Sequence, residues 1–579
     1  MSRAKLPVVA AGTDWAPVLG GRLGRRPGDL SHHAVEVTRN RLRLALVCFV
    51  IVFSVLAGRL TQLTILQGKP AWHSSAQKQN AAARPAIIDR NGVVLATQIS
   101  TITLGADAKK IADGEAMAQR LKAVLPELNT TRAARLMNGT ARHVPLQTGL
   151  TPAQKHAILE LGEPALKLTR DSSRVYPTGA VMAHSVGFTS NDMRGLLGLE
   201  RTLDNLLSDD MIEGAMQTSL DVRVQHAVRD ALLEAGEKFS TKAAGAIIVD
   251  VHNGEIIALV SLPDFDANAP MADGQAAHFN RMTLGVYELG SIFKVFTAAM
   301  VLDSGAVSTD ELFSVTEALK ISGHEIDDTH QQDKPLTVKD ILIHSSNIGS
   351  AQLALRMPQA QHYEFLHRLG FATPVPVDLP ERASPLLPGR WTDIERATSS
   401  YGHGISVSPL HALMAGAALV NGGVLYEPSL QKVGLPVGQR IISAETSQAM
   451  RDMMRAVVVS GTGRQAEVPG YQVLGKTGSA EKPVVGGYST DKLVTSFLGA
   501  FPADAPRYAL LVMLDEPQGI DATFGYYLAG WNAAPTAADI IRRTAPLLGV
   551  MPRFDVPTEQ AALPDAPDRQ MGGEVAYAP

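Results

Sequence analysis

The sequence predicts an α/β fold built in layers, with one central sheet assembled from the two ends of a single domain. Three observations predict it. Residues 222–237, VRVQHAVRDALLEAGE, place apolar side chains at helical spacing. Two apolar runs follow, 245–251 and 255–261, on either side of the turn His252-Asn253-Gly254. Three more strand-like runs come late, at 471–480, 494–502 and 508–514, before PTAADIIRRTAPLL (535–548), a helix with Pro535 near its start. The stretch between the two groups reads as helical. One helix and two strands early, and three strands and a helix late, give a sheet closed by pairing its ends and covered by helices.

Composition narrows the function. A chain of 579 residues holds roughly four average domains, or two large ones with extras. Hydrophobic residues at 45% and charged residues at 19% allow large cores and exclude global disorder. A net charge of −4 gives no support for nucleic-acid binding. The single cysteine, Cys48, excludes a disulfide framework and any cysteine-rich zinc or iron–sulfur site. A mean hydropathy of +0.04 is slightly high for a soluble protein and points to one membrane segment.

That segment is 44–58, LALVCFVIVFSVLAG, fifteen residues without a charge between Arg43 and Arg59. A span needs about 20 residues, and Leu42 and Leu60 extend this one if the arginines reach the headgroups. Residues 1–43 carry eight basic residues against three acids, a net +5. The basic side stays in the cytoplasm, so about 520 residues are expected outside. Two rival readings exist. A cleaved signal peptide, with a weak site at Val55-Leu56-Ala57, would need a shorter basic region. A buried core helix would need a partner pattern that is missing nearby.

The expected organisation is a basic cytoplasmic tail (1–43), a membrane anchor (44–60), a mixed non-catalytic domain (61–215), a catalytic domain (216–550) and a disordered tail (551–579). In the mixed domain, AIIDRNGVVLATQ reads as two strands around Asn91-Gly92. Residues 112–170 read as short amphipathic helices between polar turns, with no catalytic cluster. The tail holds five prolines and five acids, too little apolar surface to order it. No internal repeat is apparent.

Three short elements carry chemistry. In Ser291-Ile-Phe-Lys294 the serine opens an apolar helix, at the positive end of its dipole, and the lysine three residues on shares its face. For Lys294 to act as a base its pKa must fall from about 10.4 toward about 7, through burial beside Phe293, Val295 and Phe296 and a second nearby cation. Ser-x-x-Lys alone is weak. It occurs six times, starting at Ser2, Ser75, Ser291, Ser429, Ser479 and Ser489, and a capping serine beside a surface lysine must explain most of them. Ser345-Ser346-Asn347 is the chain's one Ser-x-Asn, 54 residues after Ser291, in a loop between two helix-like stretches. Taken alone it also fits an ordinary helix N-cap. Lys476-Thr477-Gly478-Ser479 lies in a strand-like stretch. There Gly478 would let a substrate backbone approach, Lys476 would supply the second cation, and Thr477 and Ser479 would offer hydroxyls to a carboxylate. Taken alone it also fits a glycine bulge in an edge strand. Only Ser291 has both other elements downstream in order within one domain, which selects an active-site serine acyltransferase.

This set resembles the penicillin-binding protein and serine β-lactamase superfamily. The wider chain resembles the class B penicillin-binding proteins, most of all their cell-division group. The supporting stretches are ARPAIIDRNGVVLA (83–96), RVYPTGAVMAHSVGF (174–188), GLLGLE (195–200), TSLDVRVQ (218–225), YELGSIFKVFT (287–297), HSSNIG (344–349), YGHGISVSPL (401–410) and GKTGSAEK (475–482). The first three match a pedestal (dimerisation-type) domain that β-lactamases lack. Leu289, Pro85 and Ser479 depart from the commoner Pro, Gly and Thr; Ser479 keeps the hydroxyl.

The resemblance implies an α/β (α+β) penicillin-binding transpeptidase fold, an antiparallel sheet between helical layers. It implies a D,D-transpeptidase acting on D-Ala-D-Ala stem peptides of peptidoglycan at the division septum, trapped covalently by β-lactams. Ser291 would be the nucleophile and Lys294 its base. Ser345 would relay a proton to the leaving amine, and Asn347 would hold the substrate amide. Lys476, Thr477, Gly478 and Ser479 would bind the terminal carboxylate, with the Ser291 and Ser479 N–H groups as oxyanion hole. Between the second and third elements no Glu motif supplies the extra base that a water-accepting β-lactamase needs. No cofactor is expected. An FtsW-type glycosyltransferase and other division proteins are the implied partners, in the inner membrane with the catalytic domain periplasmic. Rival assignments are the elongation-specific transpeptidase, and a catalytically silent scaffold or β-lactam sensor. His324, Glu325, Asp327, Asp328 and His330 in GHEIDDTH read as a polar hairpin near the cleft rather than a metal site, because the spacing matches no standard ligand set.

Overall fold

The computed structural model describes residues 43–44, 46–57, 84–208, 214–484 and 486–554. It divides into two units, 1–83 and 84–579. In the first, residues 43–44 and 46–57 are helical and expose apolar side chains such as Phe49, Ile51 and Phe53. Among the described residues no helix is long and apolar enough to cross a membrane. The end of the expected span, the basic tail before Arg43 and the C-terminal tail from 555 onward lie outside the described residues.

The second unit starts with a small sheet. β1 (Ile87–Ile88) turns back through Asn91-Gly92 into the long antiparallel strand β2 (Val94–Ala106). The Asp89 carboxylate closes that turn, accepting N–H bonds from Asn91 and Val93. Helices α1 (Gly114–Val124), α2 (Thr130–Met137) and α3 (Pro152–Glu160) follow as the sequence suggests. Two strands in the same stretch are additions to the expected helices and turns. β3 (Val144–Gln147) and β4 (Leu166–Val175) both pair with β2, β4 over ten residues. β4 reads LKLTRDSSRV; only its first residues, Leu166 and Leu168, pack on the small core, and the polar remainder leaves too short an alternation to read as a strand. Helix α4 (Gly198–Ser208) and β5 (Met216–Gln217), parallel to β1, complete this part.

The three stretches matched to a pedestal converge on one buried charge cluster. Glu200, fully buried on α4, takes the Arg84 Nε at 2.6 Å and the Arg174 Nε at 2.7 Å on its two oxygens. Arg84 also reaches Asp204 and the Glu200 carbonyl, and Arg174 donates to the Arg84 carbonyl.

The larger sheet is assembled from early and late strands as the sequence suggests. Helix α5 (Val222–Lys238) leads to the hairpin β6 (Ala243–Asp250) and β7 (Ile256–Leu262). The middle of the chain carries α6 (Phe293–Asp303), the hairpin β8 (Leu319–Ile321) and β9 (His324–Ile326), α7 (Val338–His344), α8 (Asn347–Arg356) and α9 (Pro409–Val420). A second small hairpin, β10 (Val424–Tyr426) and β11 (Gly438–Arg440), precedes α10 (Ala444–Ser460). The late strands are β12 (Leu474–Val484), β13 (Gly487–Phe501) and β14 (Tyr508–Asp515), with α11 (Ala533–Thr544) last. The sheet order is β12-β13-β14-β6-β7, all antiparallel. Pairing of β14 with β6, Leu510 opposite Ile248 and Val512 opposite Ala246, joins the two ends of the domain.

Both faces of this sheet are covered. Ala246, Ile248, Leu510 and Val512 pack with α5 and α11, whereas Ile247, Val249, Leu511 and Met513 pack with α6, α9 and α10. Two-sided burial is why β6 and β7 read as unbroken apolar runs. Helix α5 has one apolar stripe, Val224, Val228, Ala231, Leu232 and Ala235, because only one side meets the sheet. Helices α6 and α9 are apolar all round because they are enclosed. Ile87, Leu95, Leu199 and Leu203 belong to the same core as Ile247, so apolar packing runs across the expected boundary at 215–216. Within the described part of 84–215, the segment built on Leu104, Leu121 and Ile158 has a core of its own. Packing also continues past residue 550, since the Arg553 N–H donates to the Gly470 carbonyl at 2.7 Å.

Removing one partner from a buried ion cluster leaves the rest uncompensated. Glu200→Ala should therefore destabilise the folded chain by about 3–5 kcal/mol, measured as a lowered midpoint of chemical unfolding.

Candidate active site

Ser291 lies in a single 3-10 turn, Gly290–Ile292, that leads into α6. The sequence expects the serine to open the helix itself; the tighter turn comes first because Gly290 adopts φ +55°. A Cβ at Gly290 would collide with the Ser479 carbonyl, so the glycine lets the turn press against β12.

Lys294, in the first turn of α6, is 1% exposed. Its Nζ lies 2.9 Å from Ser291 Oγ, 2.5 Å from the Ser345 carbonyl, 2.7 Å from Asn347 Oδ1 and 3.2 Å from Ser345 Oγ. Two of these partners, the carbonyl and the amide oxygen, can only accept. A neutral amine has two N–H groups and one lone pair. Spending both N–H groups on the obligate acceptors leaves the lone pair for the two hydroxyls, of which that of Ser291 is the nearer. Burial pulls the Lys294 pKa down to about 7, against an opposing pull from the Asp328 carboxylate.

Ser345 is held in the left-handed region, φ 59°, ψ 42°, at the end of α7. A non-glycine residue there carries of order 1–3 kcal/mol of strain. The conformation aims both its carbonyl and its hydroxyl at the lysines. Ser346 is the N-cap of α8, its Oγ accepting from the Gly349 N–H at 2.9 Å, so the cap expected of this loop and the inward-facing groups coexist on neighbouring residues.

On β12 the two-residue period sorts the side chains. Lys476 is fully buried and donates to Ser345 Oγ and to the Thr477 carbonyl, both at 3.0 Å. Desolvation and repulsion from Lys294 hold its pKa well below the usual lysine range. Ser345 Oγ therefore lies between two amines that cannot both stay charged. Gly478, on the same side, corrects an expectation. The space a side chain would fill is taken by the Leu289 carbonyl and Ile292, so this glycine admits the turn carrying Ser291 and not a substrate backbone. Thr477 and Ser479 face a cavity of about 600 Å³ that also reaches Ser291, Ser345 and Asn347. Ser479 Oγ accepts the Ala529 N–H at 3.0 Å, which leaves its own O–H free to donate.

The structure thus brings Ser291, Lys294, Ser345, Asn347 and Lys476 together, with Thr477 and Ser479 at the cavity wall. Asn347 does something the sequence did not suggest: its oxygen holds Lys294, while its Nδ2 donates to the Asp327 carbonyl at 3.2 Å. Of the other Ser-x-x-Lys copies, those at Ser2 and Ser75 lie outside the described residues; the Ser429 and Ser489 hydroxyls donate to Asp378 and Asp491, and Lys482 pairs with Asp515. Two site residues, Thr462 and Glu288, had no role assigned from the sequence, and a third, Asp328, was read only as part of a polar hairpin near the cleft. Thr462 Oγ1 lies 2.6 Å from Thr477 Oγ1; Glu288 accepts the Gly404 N–H and the Tyr488 hydroxyl at the rim; Asp328 contacts the Ser345 turn. Asp328 lies just past the β8–β9 hairpin, and among the described residues no group of three or more His, Cys, Asp or Glu is placed to hold a metal ion.

A hydroxyl facing the lone pair of a desolvated amine, with a second amine behind it and an open cavity before it, defines an active-site serine enzyme of the acyl-transfer class. Residues 244–542 match the penicillin-binding protein transpeptidase domain and residues 79–216 the penicillin-binding protein dimerisation domain. The chain belongs to this transpeptidase family of penicillin-binding proteins. It is 38% identical over 490 residues to a probable peptidoglycan D,D-transpeptidase FtsI of Caulobacter vibrioides, covering 82% of this chain and 83% of that one. It is 30% identical over 555 residues to the peptidoglycan D,D-transpeptidase FtsI of Escherichia coli, covering 89% and 93%. The crystal structure of penicillin-binding protein 3 from Mycobacterium tuberculosis with aztreonam aligns with a TM-score of 0.63 at 26% identity, covering 81% of this chain and 97% of that one.

Two outcomes follow from this geometry. Acylation by a fluorescent penicillin, followed across pH by stopped flow, should rise about tenfold per pH unit below about 7 and level off above it, as Lys294 loses its proton. Gly478→Ala should slow the same step at least about tenfold, about 1.4 kcal/mol of barrier, by displacing the Ser291 turn.

Proposed function

We propose that the chain cross-links the stem peptides of septal peptidoglycan as a serine D,D-transpeptidase during cell division. The observation that carries this reading is the 2.9 Å approach of Ser291 Oγ to a buried Lys294 whose N–H groups are already committed. Ser291 Oγ attacks the carbonyl between the two terminal D-alanines and gives its proton to Lys294. The tetrahedral oxyanion is held by the Ser291 and Ser479 N–H groups, worth about 3–4 kcal/mol per donor. The C–N bond breaks, the D-Ala amine takes a proton relayed by Ser345 from the lysine pair, and an ester to Ser291 remains. Asn347 holds the substrate amide, Thr477 and Ser479 receive the terminal carboxylate at the cavity wall, and Lys476 acts behind them through Ser345 Oγ. An amine from a neighbouring stem then attacks the ester, forming the cross-link and returning the proton through Lys294 to Ser291.

β-Lactams, mimicking the terminal dipeptide, acylate the same serine. In this reading 44–60 anchors the chain in the inner membrane with 1–43 in the cytoplasm. Residues 61–215 form the pedestal, 216–550 the periplasmic transpeptidase domain and 551–579 a tail. An FtsW-type glycosyltransferase and other division proteins are the expected partners.

Mass spectrometry of the penicillin adduct should place the label on Ser291, with none on Ser291→Ala; an unlabelled wild type, or equal label on the variant, removes the enzyme reading. Depletion in cells should give filaments, whereas round cells would assign the chain to elongation instead.

A further inference from the structure

We propose that Asp328 is a positioning residue for acyl transfer, holding the Ser345-Ser346-Asn347 turn so that it presents its carbonyl and amide oxygens to Lys294. The proposal rests on the transpeptidase reading above and adds to it a residue at the cavity wall whose hydrogen bonds go to the Ser346-Asn347-Ile348 turn and not to Ser291 or Lys294. Asp328 comes from the loop after β9 and uses both carboxylate oxygens. Oδ1 accepts the backbone N–H groups of Asn347 and of Ile348, the latter at 3.0 Å. Oδ2 accepts the Ser346 hydroxyl at 2.5 Å. A carboxylate at these first N–H groups of α8 satisfies donors that the helix cannot satisfy itself and complements its dipole. The neighbouring Asp327 carbonyl can only accept, so its bond from Asn347 Nδ2 fixes which end of that amide faces Lys294. The loop thereby sets both acceptors that occupy the Lys294 N–H groups.

Asp328 also acts by charge. The groups facing Lys294 are Lys476 from β12, Asp328 from this loop, and the polar Ser291, Ser345 and Asn347. His330 and His344 stand at the cavity wall. Glu288, Glu481, His403 and Arg464 line the cavity as well, and Asp328 is the carboxylate whose charge acts on Lys294, favouring its ammonium form. Its removal should let the lysine lose its proton at lower pH while loosening the turn that orients it.

The test is the pH profile of penicillin acylation in the full chain. Asp328→Asn should lower the plateau rate at least about tenfold and move the midpoint down by at least about half a pH unit. Asp328→Glu should restore the midpoint and part of the rate. Ser346→Ala, which removes one anchor and no charge, should slow acylation with the midpoint unmoved. An Asp328→Asn profile like wild type overturns the proposal, as does a slowed variant with an unshifted midpoint, which would mark a structural role only. Should Asp328→Asn not fold, an unslowed Ser346→Ala overturns it. A wild type that takes no label on Ser291 would instead defeat the underlying reading.

Discussion

Two lysine amines buried around one pair of serine hydroxyls set the terms for the rest of this molecule. Holding Lys294 at about 7 instead of 10.5 costs about 5 kcal/mol of folding stability. The sign follows from proton counts. Between those two pH values the unfolded chain binds a proton that the folded one lacks, so stability rises with pH across the window. The cost is therefore present in full below about pH 7 and vanishes above the unfolded value. Lys476 adds to it in the same direction. A single small core could not sustain this, since whole domains are stable by only about 5–15 kcal/mol. The covered sheet, with an apolar core on each face, supplies the margin.

The sheet also does the assembling. Ser291, Ser345 and Lys476 are far apart in sequence, and the β14–β6 pairing is what brings the late strands beside the helices of the middle segment. β12 is the outer strand of that sheet, so one flank stays open to a substrate. Its two-residue period then divides the labour. Lys476 and Gly478 turn toward the nucleophile, while Thr477 and Ser479 turn toward the cavity. A one-residue slip would exchange the two sets and destroy both.

Much of this was legible beforehand because the signals were local. Two-sided burial makes β6 and β7 continuous apolar runs, and the stripe on α5 records a single packed face. The lysine and serine residues of the site could be named because few residue types can perform this chemistry. What stayed hidden depends on partners distant in sequence. β4 is mostly polar because its ladder with β2 is exposed along most of its length. Gly478 carries no sign of whether substrate or the Leu289 carbonyl will fill its empty side. Asp328 caps a helix that begins nineteen residues later, beyond the reach of any capping pattern read within one turn. The shared core around Ile87 and Leu199 likewise depends on contacts with β6 that no composition shift announces.

The chain buries charge in two places and treats it in opposite ways. At Arg84, Glu200 and Arg174 every charge has an opposite partner within hydrogen-bonding distance, and guanidinium cannot give up its proton, so the cluster stays ionised and fixes how three separated segments meet. At Lys294 and Lys476 the carboxylate supply is reduced to Asp328, whose oxygens are already engaged by α8 and Ser346. With no full counter-charge available, desolvation prevails and a proton is lost. The contrast depends on residue type as much as on burial: arginine at position 294 would remain charged, whereas lysine can become the base its surroundings require. Reactivity at Ser291 thus arises where the fold withholds the pairing it grants at Glu200.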